Sequence, residues 1–184
     1  MISELEKIQK QVIVCKKCEL CKTRTNAVPG KGSKSAELFF IGEAPGRSED
    51  KKGEPFVGAA GKKLSIALEY AGLSRDDVYI TNVVKCRPPK NRVPLENEEK
   101  SCEEFLKSEI DLIKPKIICI MGNTAYHSLL GGNSITKNRG KIIQKDGKTY
   151  FLTVHPAAAI YNQGLLDTLK KDMRTLVKTL KEMK

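Results

Sequence analysis

Short apolar runs alternate along this chain with segments in which apolar residues recur at helical spacing. The runs at residues 38–41, 78–84, 116–121 and 149–154 are apolar nearly throughout, as expected of parallel strands covered on both faces. The helical pattern occupies residues 2–13, 59–71, 96–112 and 164–182. This alternation predicts a three-layer α/β/α fold around a mainly parallel four-stranded sheet. Residues 140–144 are expected to add a hairpin or an edge strand.

The length of the chain suits one domain of this kind. With 184 residues it is long enough to bury a full core, so residues 1–184 are expected to form a single domain. The last helical segment is expected to close that core with an apolar face formed by Leu165, Leu169, Met173, Leu176 and Leu180.

A glycine-rich segment directly follows the first apolar run. Residues 42–63 contain five glycines and two prolines. Open α/β sheets bind ligands where their strands end, so this segment is predicted to be an active-site loop, with an ordinary glycine-rich loop as the plainer alternative. A P-loop is excluded, because Phe56 stands where its first glycine belongs and Lys63 replaces its metal-binding hydroxyl residue.

The charge of the chain points to an anionic partner. Thirty-three Lys and Arg residues against twenty-two Asp and Glu residues give a formal net charge of +11. This excess favours a polyanion such as nucleic acid, although a basic surface that serves solubility alone has the same composition. No run approaches the roughly 18 apolar residues of a membrane-spanning helix. Because residues 1–10 form a polar helix pattern rather than a signal peptide, a cytoplasmic location is expected.

Six cysteines favour a metal or redox centre over disulfides in such a location. Cys15 and Cys18 form a CxxC pair, Cys86 follows the second apolar run, and Cys102 lies in the third helical segment. Four thiolates suit either a structural zinc ion or a four-iron four-sulfur cluster. The second pair lacks the tight spacing of most zinc ribbons, which favours iron and sulfur. Cys21 is either a spare thiol or an alternative ligand.

The order of several motifs makes this chain similar to a known family. The segments CKKCEL, RTNAVPGKG, FIGEAPGRSEDKKGEPFVGAAGKKL, TNVVKCRPPKNR and HPAA occur in the order seen in family 4 uracil-DNA glycosylases, and RTNAVPG resembles the archaeal variant. The resemblance covers most of the chain. It implies a DNA repair enzyme that flips deoxyuridine out of DNA and hydrolyses its N-glycosidic bond, which releases uracil and leaves an abasic site.

The resemblance also implies a cofactor and the residues that hold it. Family 4 enzymes carry a four-iron four-sulfur cluster, and the positions of its ligands match Cys15, Cys18, Cys86 and Cys102. Cys21 falls outside that set. Because these ligands come from the N-terminal segment, the loop after the second strand and the third helix, the cluster is expected to support the structure.

Three side chains are implied to bind the flipped base. His155 would donate a hydrogen bond to O2 of the leaving uracil, Phe56 would stack on the base, and Asn82 would hydrogen-bond its edge. Each also has a plainer interpretation when taken in isolation. For His155 it is a core or surface histidine whose ring nitrogens are hydrogen-bonded. For Phe56 it is an aromatic residue of the core, and for Asn82 it is a buried side chain that hydrogen-bonds to backbone groups.

Position 44 departs from the better-known family 1 enzymes. Those carry an aspartate there, which could orient water or offset the positive charge of the sugar, and Ala44 can do neither. Catalysis is therefore expected to depend on binding, distortion and leaving-group stabilisation, with Glu43 and Asn91 holding the nucleophilic water. Gly42 and Ala44 are expected to border the base. Glu49 is assigned to a wall near uracil C5 or to a contact with Asn91.

Two segments are candidates for DNA contacts. The basic loop at residues 87–92 would bind phosphates through Arg87 and Arg92. The residues after His155 would wedge into the base stack where the nucleotide leaves it. The wedge candidates are Ala158, Ala159, Ile160 and Tyr161, with capping of the last helix as the alternative for Tyr161.

The expected partner is uracil-containing DNA, single- or double-stranded, bound by a monomer. A replication sliding clamp is a further candidate partner, although the sequence has no clear motif for one. The competing interpretation of the same features is a non-catalytic iron-sulfur or zinc protein that binds nucleic acid.

Overall fold

The computed structural model describes residues 2–183 of the chain. Its strands are β1 (Lys31–Gly32), β2 (Leu38–Gly42), β3 (Tyr79–Asn82), β4 (Ile117–Met121), β5 (Ile142–Lys145) and β6 (Lys148–Thr153). Its α-helices are α1 (Glu4–Val14), α2 (Arg47–Lys52), α3 (Ala59–Tyr70), α4 (Glu96–Ile113), α5 (Asn123–Leu130), α6 (Ile135–Asn138) and α7 (Gln163–Glu182). None of the helices in this range is long and apolar enough to cross a membrane.

One sheet contains all six strands, in the order β1-β3-β2-β4-β6-β5. The four central strands β3, β2, β4 and β6 are parallel, and β1 and β5 pair antiparallel at the two edges. The predicted parallel centre of four strands is therefore confirmed, and two edge strands extend it. Because parallel strands have their carboxyl ends at the same end of the sheet, the last residues of β2, β3 and β6 lie together there. These residues are Gly42, Asn82 and Thr153.

Helices cover both faces of the sheet and complete the three predicted layers. On one face α1, α4, α5 and α6 pack around a core that includes Phe39 and Ile41 of β2. On the other face α3 and α7 pack against Leu38 and Phe40. Successive residues of β2 thus point to opposite layers, which explains why the strand is apolar throughout.

Polar caps determine where the first and last helices begin. In α1, the Glu6 amide donates to Ser3 Oγ at 3.4 Å and the Ser3 amide donates to Glu6 Oε2 at 2.9 Å. Before α7, Asn162 Oδ1 accepts from the Leu165 amide at 3.2 Å. Asn162 therefore caps α7, which leaves Tyr161 free of that role.

Two local features differ from the sequence prediction. Residues 47–52 form α2 inside the segment expected to be a loop, and Gly53 ends this helix with a left-handed φ of 70°. The apolar face of α7 begins with Leu166 and not with Leu165 as predicted. Residues 166, 169, 173, 176 and 180 are buried along one side of the helix.

A buried ion pair joins the end of β3 to α4. Lys85 Nζ donates to Glu109 Oε2 at 2.7 Å, to Thr81 Oγ1 at 2.5 Å and to the Asn82 carbonyl at 2.9 Å. The Lys85 and Glu109 side chains are 2% and 0% exposed. Glu109 also accepts from the Thr81 hydroxyl at 3.0 Å and from the Gly30 amide at 2.9 Å. Both charges are therefore compensated by hydrogen bonds, as burial of an ion pair requires.

Candidate functional site

A cavity of about 320 Å³ opens at the edge where the parallel strands end. Its wall is formed by the segment after β2, the start of α3, the end of β3 with the loop that follows, and the turn after β6. The structure brings nine residues predicted for the site into this wall: Glu43, Ala44, Glu49, Phe56, Asn82, Asn91, Arg92, His155 and Ile160. The predicted residues that do not line it are Gly42, Arg87, Ala158, Ala159 and Tyr161.

The carboxamide of Asn82 stands out because its oxygen lacks a partner. Asn82 is 2% exposed, and its Oδ1 is the only buried side-chain nitrogen or oxygen atom in residues 2–183 without a hydrogen bond. Such an atom costs about 1–3 kcal/mol, which a ligand donor would offset. Gly42 makes room for this group, since a Cβ at Gly42 would lie 2.6 Å from Oδ1 and 2.5 Å from Cζ of Phe56.

Phe56 has a strained backbone at the cavity wall. Its φ of 52° lies in the left-handed region, which is costly for a bulky residue. Arg75 donates from Nη1 to the Phe56 carbonyl at 3.0 Å and from Nη2 to the Pro55 carbonyl at 2.9 Å. Gly61 permits the close approach of α3, since a Cβ there would lie 1.8 Å from the Phe56 oxygen. Sequence reasoning missed Arg75, because no motif links it to this loop.

His155 lies against Phe56, with ring centroids 5.7 Å apart and ring planes inclined by 33°. Its Nδ1 accepts a hydrogen bond from the Ala157 amide at 3.1 Å, so the neutral ring carries its proton on Nε2. Burial lowers the pKa of His155 from 6.5 to about 4, and the charge of Glu49 opposes this effect. His155 is therefore a neutral N–H donor at neutral pH.

Glu43 and Ala44 follow β2 directly. Glu43 Oε2 accepts a hydrogen bond from the Thr124 hydroxyl in the first turn of α5. Glu43 Oε1 has no hydrogen-bond partner within residues 2–183, and the side chain lines the cavity. Ala44 contributes only a methyl group, so the carboxylates of this wall are those of Glu43 and Glu49. The role of Thr124 had no signal in the sequence.

Glu49 forms hydrogen bonds with the backbone just before α3 and none with Asn91. Its Oε1 accepts hydrogen bonds from the amides of Val57 at 2.9 Å and Gly58 at 2.7 Å. These amides lie immediately before α3, at the end of the helix dipole where a carboxylate is favourable. Asn91 Oδ1 accepts instead from Arg87 Nε at 2.7 Å. The contact suggested between Glu49 and Asn91 is thus replaced by these partners, and the assignment of Glu49 to a wall near the base stays a prediction.

A strained turn brings the loop after β3 to the cavity. Lys90 and Asn91 are both left-handed, with φ of 54° and 56°. Arg92 closes the loop by donating to Glu98 from Nη1 at 2.8 Å and from Nη2 at 2.6 Å, and Glu98 is 2% exposed. This bond lowers the pKa of Glu98. The Arg92 charge is therefore compensated within the protein, whereas Lys90 is exposed.

The turn after β6 exposes only part of the predicted wedge. Tyr161 is 97% exposed and Ala158 is exposed, while Ile160 is half-buried in the cavity wall. Ala159 is 1% exposed. Because Ala159 faces the core, it is removed from the wedge candidates.

Five cysteines line a second, interior cavity between α1 and α4. They are Cys15, Cys18, Cys86 and Cys102, which had been predicted as ligands, together with Cys21. The thiols surround a shared space. No group of three His, Cys, Asp or Glu side chains within residues 2–183 forms a site for a single metal ion.

Two of these sulfur atoms receive hydrogen bonds. Arg24 Nη1 donates to Cys86 Sγ at 2.9 Å, and the Lys17 amide donates to Cys15 Sγ at 3.5 Å. Burial nevertheless raises the pKa of Cys86, and it raises that of Cys102 to about 11. Thiolates at these positions need additional positive charge, which the iron ions of a cluster would supply. The chemistry of this cysteine set is therefore compatible with a four-iron four-sulfur cluster.

Comparison with known proteins defines the class of this protein. The sequence model of the uracil DNA glycosylase superfamily matches residues 29–181, so the chain belongs to this superfamily. The Type-4 uracil-DNA glycosylase of Sulfurisphaera tokodaii is 52% identical, over 95% of this chain and 84% of that protein. The Type-4 enzyme of Archaeoglobus fulgidus is 42% identical, over 95% of this chain and 92% of that protein. Within the superfamily the chain belongs to the Type-4 uracil-DNA glycosylases, as its motifs predicted.

The similarity extends more weakly to a neighbouring type. A Type-5 uracil-DNA glycosylase of Pyrobaculum aerophilum is 31% identical, over 80% of this chain and 74% of that protein.

Proposed function

We propose that this chain is a DNA repair enzyme that binds a flipped deoxyuridine and hydrolyses its N-glycosidic bond. The observation that carries the proposal is the unpartnered Oδ1 of Asn82 in the cavity wall. Uracil has an N–H at position 3 beside a carbonyl at position 4, and a carboxamide offers the complementary acceptor and donor. With its oxygen toward N3, Asn82 accepts from uracil and opposes the unprotonated N3 of cytosine.

Phe56 and His155 act on the base that Asn82 binds. The uracil ring stacks on Phe56, an interaction worth about 1–3 kcal/mol by analogy with single-stranded DNA binding. Negative charge accumulates on uracil as the glycosidic bond breaks. The Nε2–H of His155 donates to O2, and a donor held in place before the reaction contributes about 3–4 kcal/mol to such a transition state.

Glu43 holds the nucleophilic water, and Asn91 assists it. Glu43 lines the cavity, and because its Oε2 accepts from Thr124, its Oε1 is the oxygen available to accept a water proton. Asn91 uses its Oδ1 to accept from Arg87, which leaves its Nδ2 to donate to the same water. Ala44 provides no further acceptor. Positioning of one water beside the sugar therefore takes the place of the aspartate that the family 1 enzymes carry at position 44.

The protonation state of His155 leads to a testable pH dependence. Its pKa is lowered on folding, so the ring stays neutral as the pH falls through 6.5 and takes up a proton only near pH 4. The single-turnover rate of uracil release is expected to show no ionisation near 6.5 from this residue. The free energy of unfolding should decrease as the pH falls from 6.5 to about 4, because in this range His155 binds a proton in the unfolded chain and not in the folded chain.

The measurement is rapid-quench excision from about pH 4 to about pH 8, with His155→Gln as the comparison variant. Gln offers a neutral donor that does not titrate. A transition near pH 6.5 that is present in the native protein and lost in His155→Gln would contradict the assignment.

Electrostatic contacts to DNA are proposed for Arg87 and Lys90, with Tyr161 and Ala158 as the residues that meet the base stack. Lys90→Gln is expected to reduce the slope of log affinity against log salt by about one unit, because one phosphate contact is lost. Arg92→Gln is expected to change the slope less, because Glu98 already compensates this charge. Equilibrium binding to a uracil-containing duplex at several salt concentrations measures both. Equal slopes for Lys90→Gln and the native protein would remove Lys90 from the interface.

The cofactor proposed for the cysteine cavity is a four-iron four-sulfur cluster held by Cys15, Cys18, Cys86 and Cys102. These cysteines would tie the end of α1 to the loop after β3 and to α4 when the cluster is bound, and so would support the loop that carries Asn91. Iron and sulfide analysis with an absorbance band at about 400 nm tests this proposal. Zinc in place of iron would overturn it.

Release of free uracil tests the proposed function. The purified protein is incubated with an oligonucleotide that contains one deoxyuridine, and with matched oligonucleotides that contain cytosine or thymine at that position. The expected result is release of uracil and an alkali-labile abasic site in the first oligonucleotide alone. Tight binding of all three without base release would support the non-catalytic alternative.

A further inference from the structure

The Glu43 carboxylate receives one side-chain hydrogen bond within residues 2–183, and its donor is Thr124. The two residues are 81 positions apart in the chain, and they meet because the segment after β2 lies beside the start of α5. We infer that Thr124 is a positioning residue, whose hydroxyl holds Glu43 Oε2 and so directs Oε1 into the cavity. This inference rests on the proposed role of Glu43 in holding water.

The start of α5 is rigid enough for this role. The Gly122 amide, immediately before the helix, donates to the Thr153 carbonyl at the end of β6 at 3.0 Å. Ala125, in the first turn, is completely buried. Gly122 has a φ of 93° and packs on His155, since a Cβ there would lie 2.9 Å from the His155 Cβ. The start of this one helix therefore lies beside both Glu43 and His155.

The surroundings of Thr124 determine which substitution tests the inference. Thr124 also lines a neighbouring surface cavity of about 470 Å³, together with Glu99 and His127. In Thr124→Ala, water from this cavity could replace the missing hydroxyl and bond to Glu43. Thr124→Val keeps the volume of the side chain and places a methyl group where the hydroxyl was, so it excludes that water. Thr124→Ser retains the hydroxyl and is the matched conservative variant.

Single-turnover uracil release and DNA binding are measured for each variant. Thr124→Val is expected to lower the excision rate about 10- to 100-fold, because a small displacement of a catalytic group has an effect of this size. Its affinity for DNA is expected to stay at the native value, and Thr124→Ser should restore most of the rate. A native rate in Thr124→Val, or an equally slow Thr124→Ser, would overturn the inference.

A double-mutant cycle separates this role from a general effect on folding. If Thr124 acts through Glu43, Thr124→Val should have no further effect on the rate of Glu43→Ala. The same loss in both backgrounds would show that Thr124 acts by another route.

Crystal structures of the native protein and of Thr124→Val provide a readout that does not depend on catalysis. The Glu43 carboxylate is expected to turn away from the cavity in the variant, and an unchanged orientation would overturn the inference. Absence of uracil release by the native protein would refute the proposed function, while the two structures would still decide whether Thr124 positions Glu43.

Discussion

Asn82→Ala is expected to lower the single-turnover rate of uracil excision by about 10²- to 10⁴-fold, the largest loss from a single change in the cavity. The carboxamide is the group that pairs with both N3–H and O4 of uracil. Without it, those groups of the substrate enter a buried site with no partners. Stability should be little affected, because the substitution removes a buried oxygen that has no hydrogen bond in the free protein.

The control for this prediction is Asn97→Ala, which removes the same group from an exposed position on α4. Rapid-quench measurements with excess enzyme give the excision rate, and circular dichroism gives the melting temperature. Asn97→Ala should match the native protein in both. A rate for Asn82→Ala within about threefold of native would show that the base is recognised elsewhere, since loss of even one buried hydrogen bond exceeds that factor.

Lys85→Met is expected to lower the free energy of unfolding by about 3–5 kcal/mol, because it leaves the charge of Glu109 buried without its partner. Glu109 is 0% exposed and would keep only neutral donors. The substitution should also disturb the position of Asn82 in the cavity wall, because Lys85 Nζ donates a hydrogen bond to the Asn82 carbonyl. Lys85 also lines the cysteine cavity, so the same residue lies between Asn82 and the cysteines.

Two further variants make this prediction specific. Lys100→Met breaks the exposed pair with Glu96, whose side chains are 67% and 81% exposed, and should cost no more than about 0.5 kcal/mol. The double variant Lys85→Met with Glu109→Leu should recover much of the stability, because it removes both buried charges. Urea unfolding followed by circular dichroism measures all three. Equal losses for Lys85→Met and Lys100→Met would contradict the assigned cost of the buried charge.

The fold was largely predictable, because burial of both faces makes the parallel strands apolar and separates them clearly from the amphipathic helices. The parts that escaped prediction have weak local signals. The edge strand β1 contains only two residues, both exposed, so it has no apolar pattern that could predict its pairing with β3. The short helix α2 lies in a glycine-rich segment, and its end at Gly53 depends on a left-handed residue.

The sequence also predicted which segments meet at the site, because the strand ends in a parallel sheet lie along one edge. The cavity wall contains Phe56, Asn82 and His155 from three such segments. The residues that hold them were not predictable. Arg75 and Thr124 act over 19 and 81 positions of sequence, and neither belongs to a motif with a chemical signature.

By itself, the sequence determined the fold class, the family and the residue types available for the reaction, because periodicity and motif order are local properties of the chain. Only the tertiary structure decided how those side chains are used. It pairs Arg92 with Glu98, assigns Glu49 to the start of α3, and leaves Asn82 Oδ1 without a partner. Hydrogen-bond partners, burial and the resulting pKa of a side chain depend on groups that are distant in sequence, and packing alone brings those groups together.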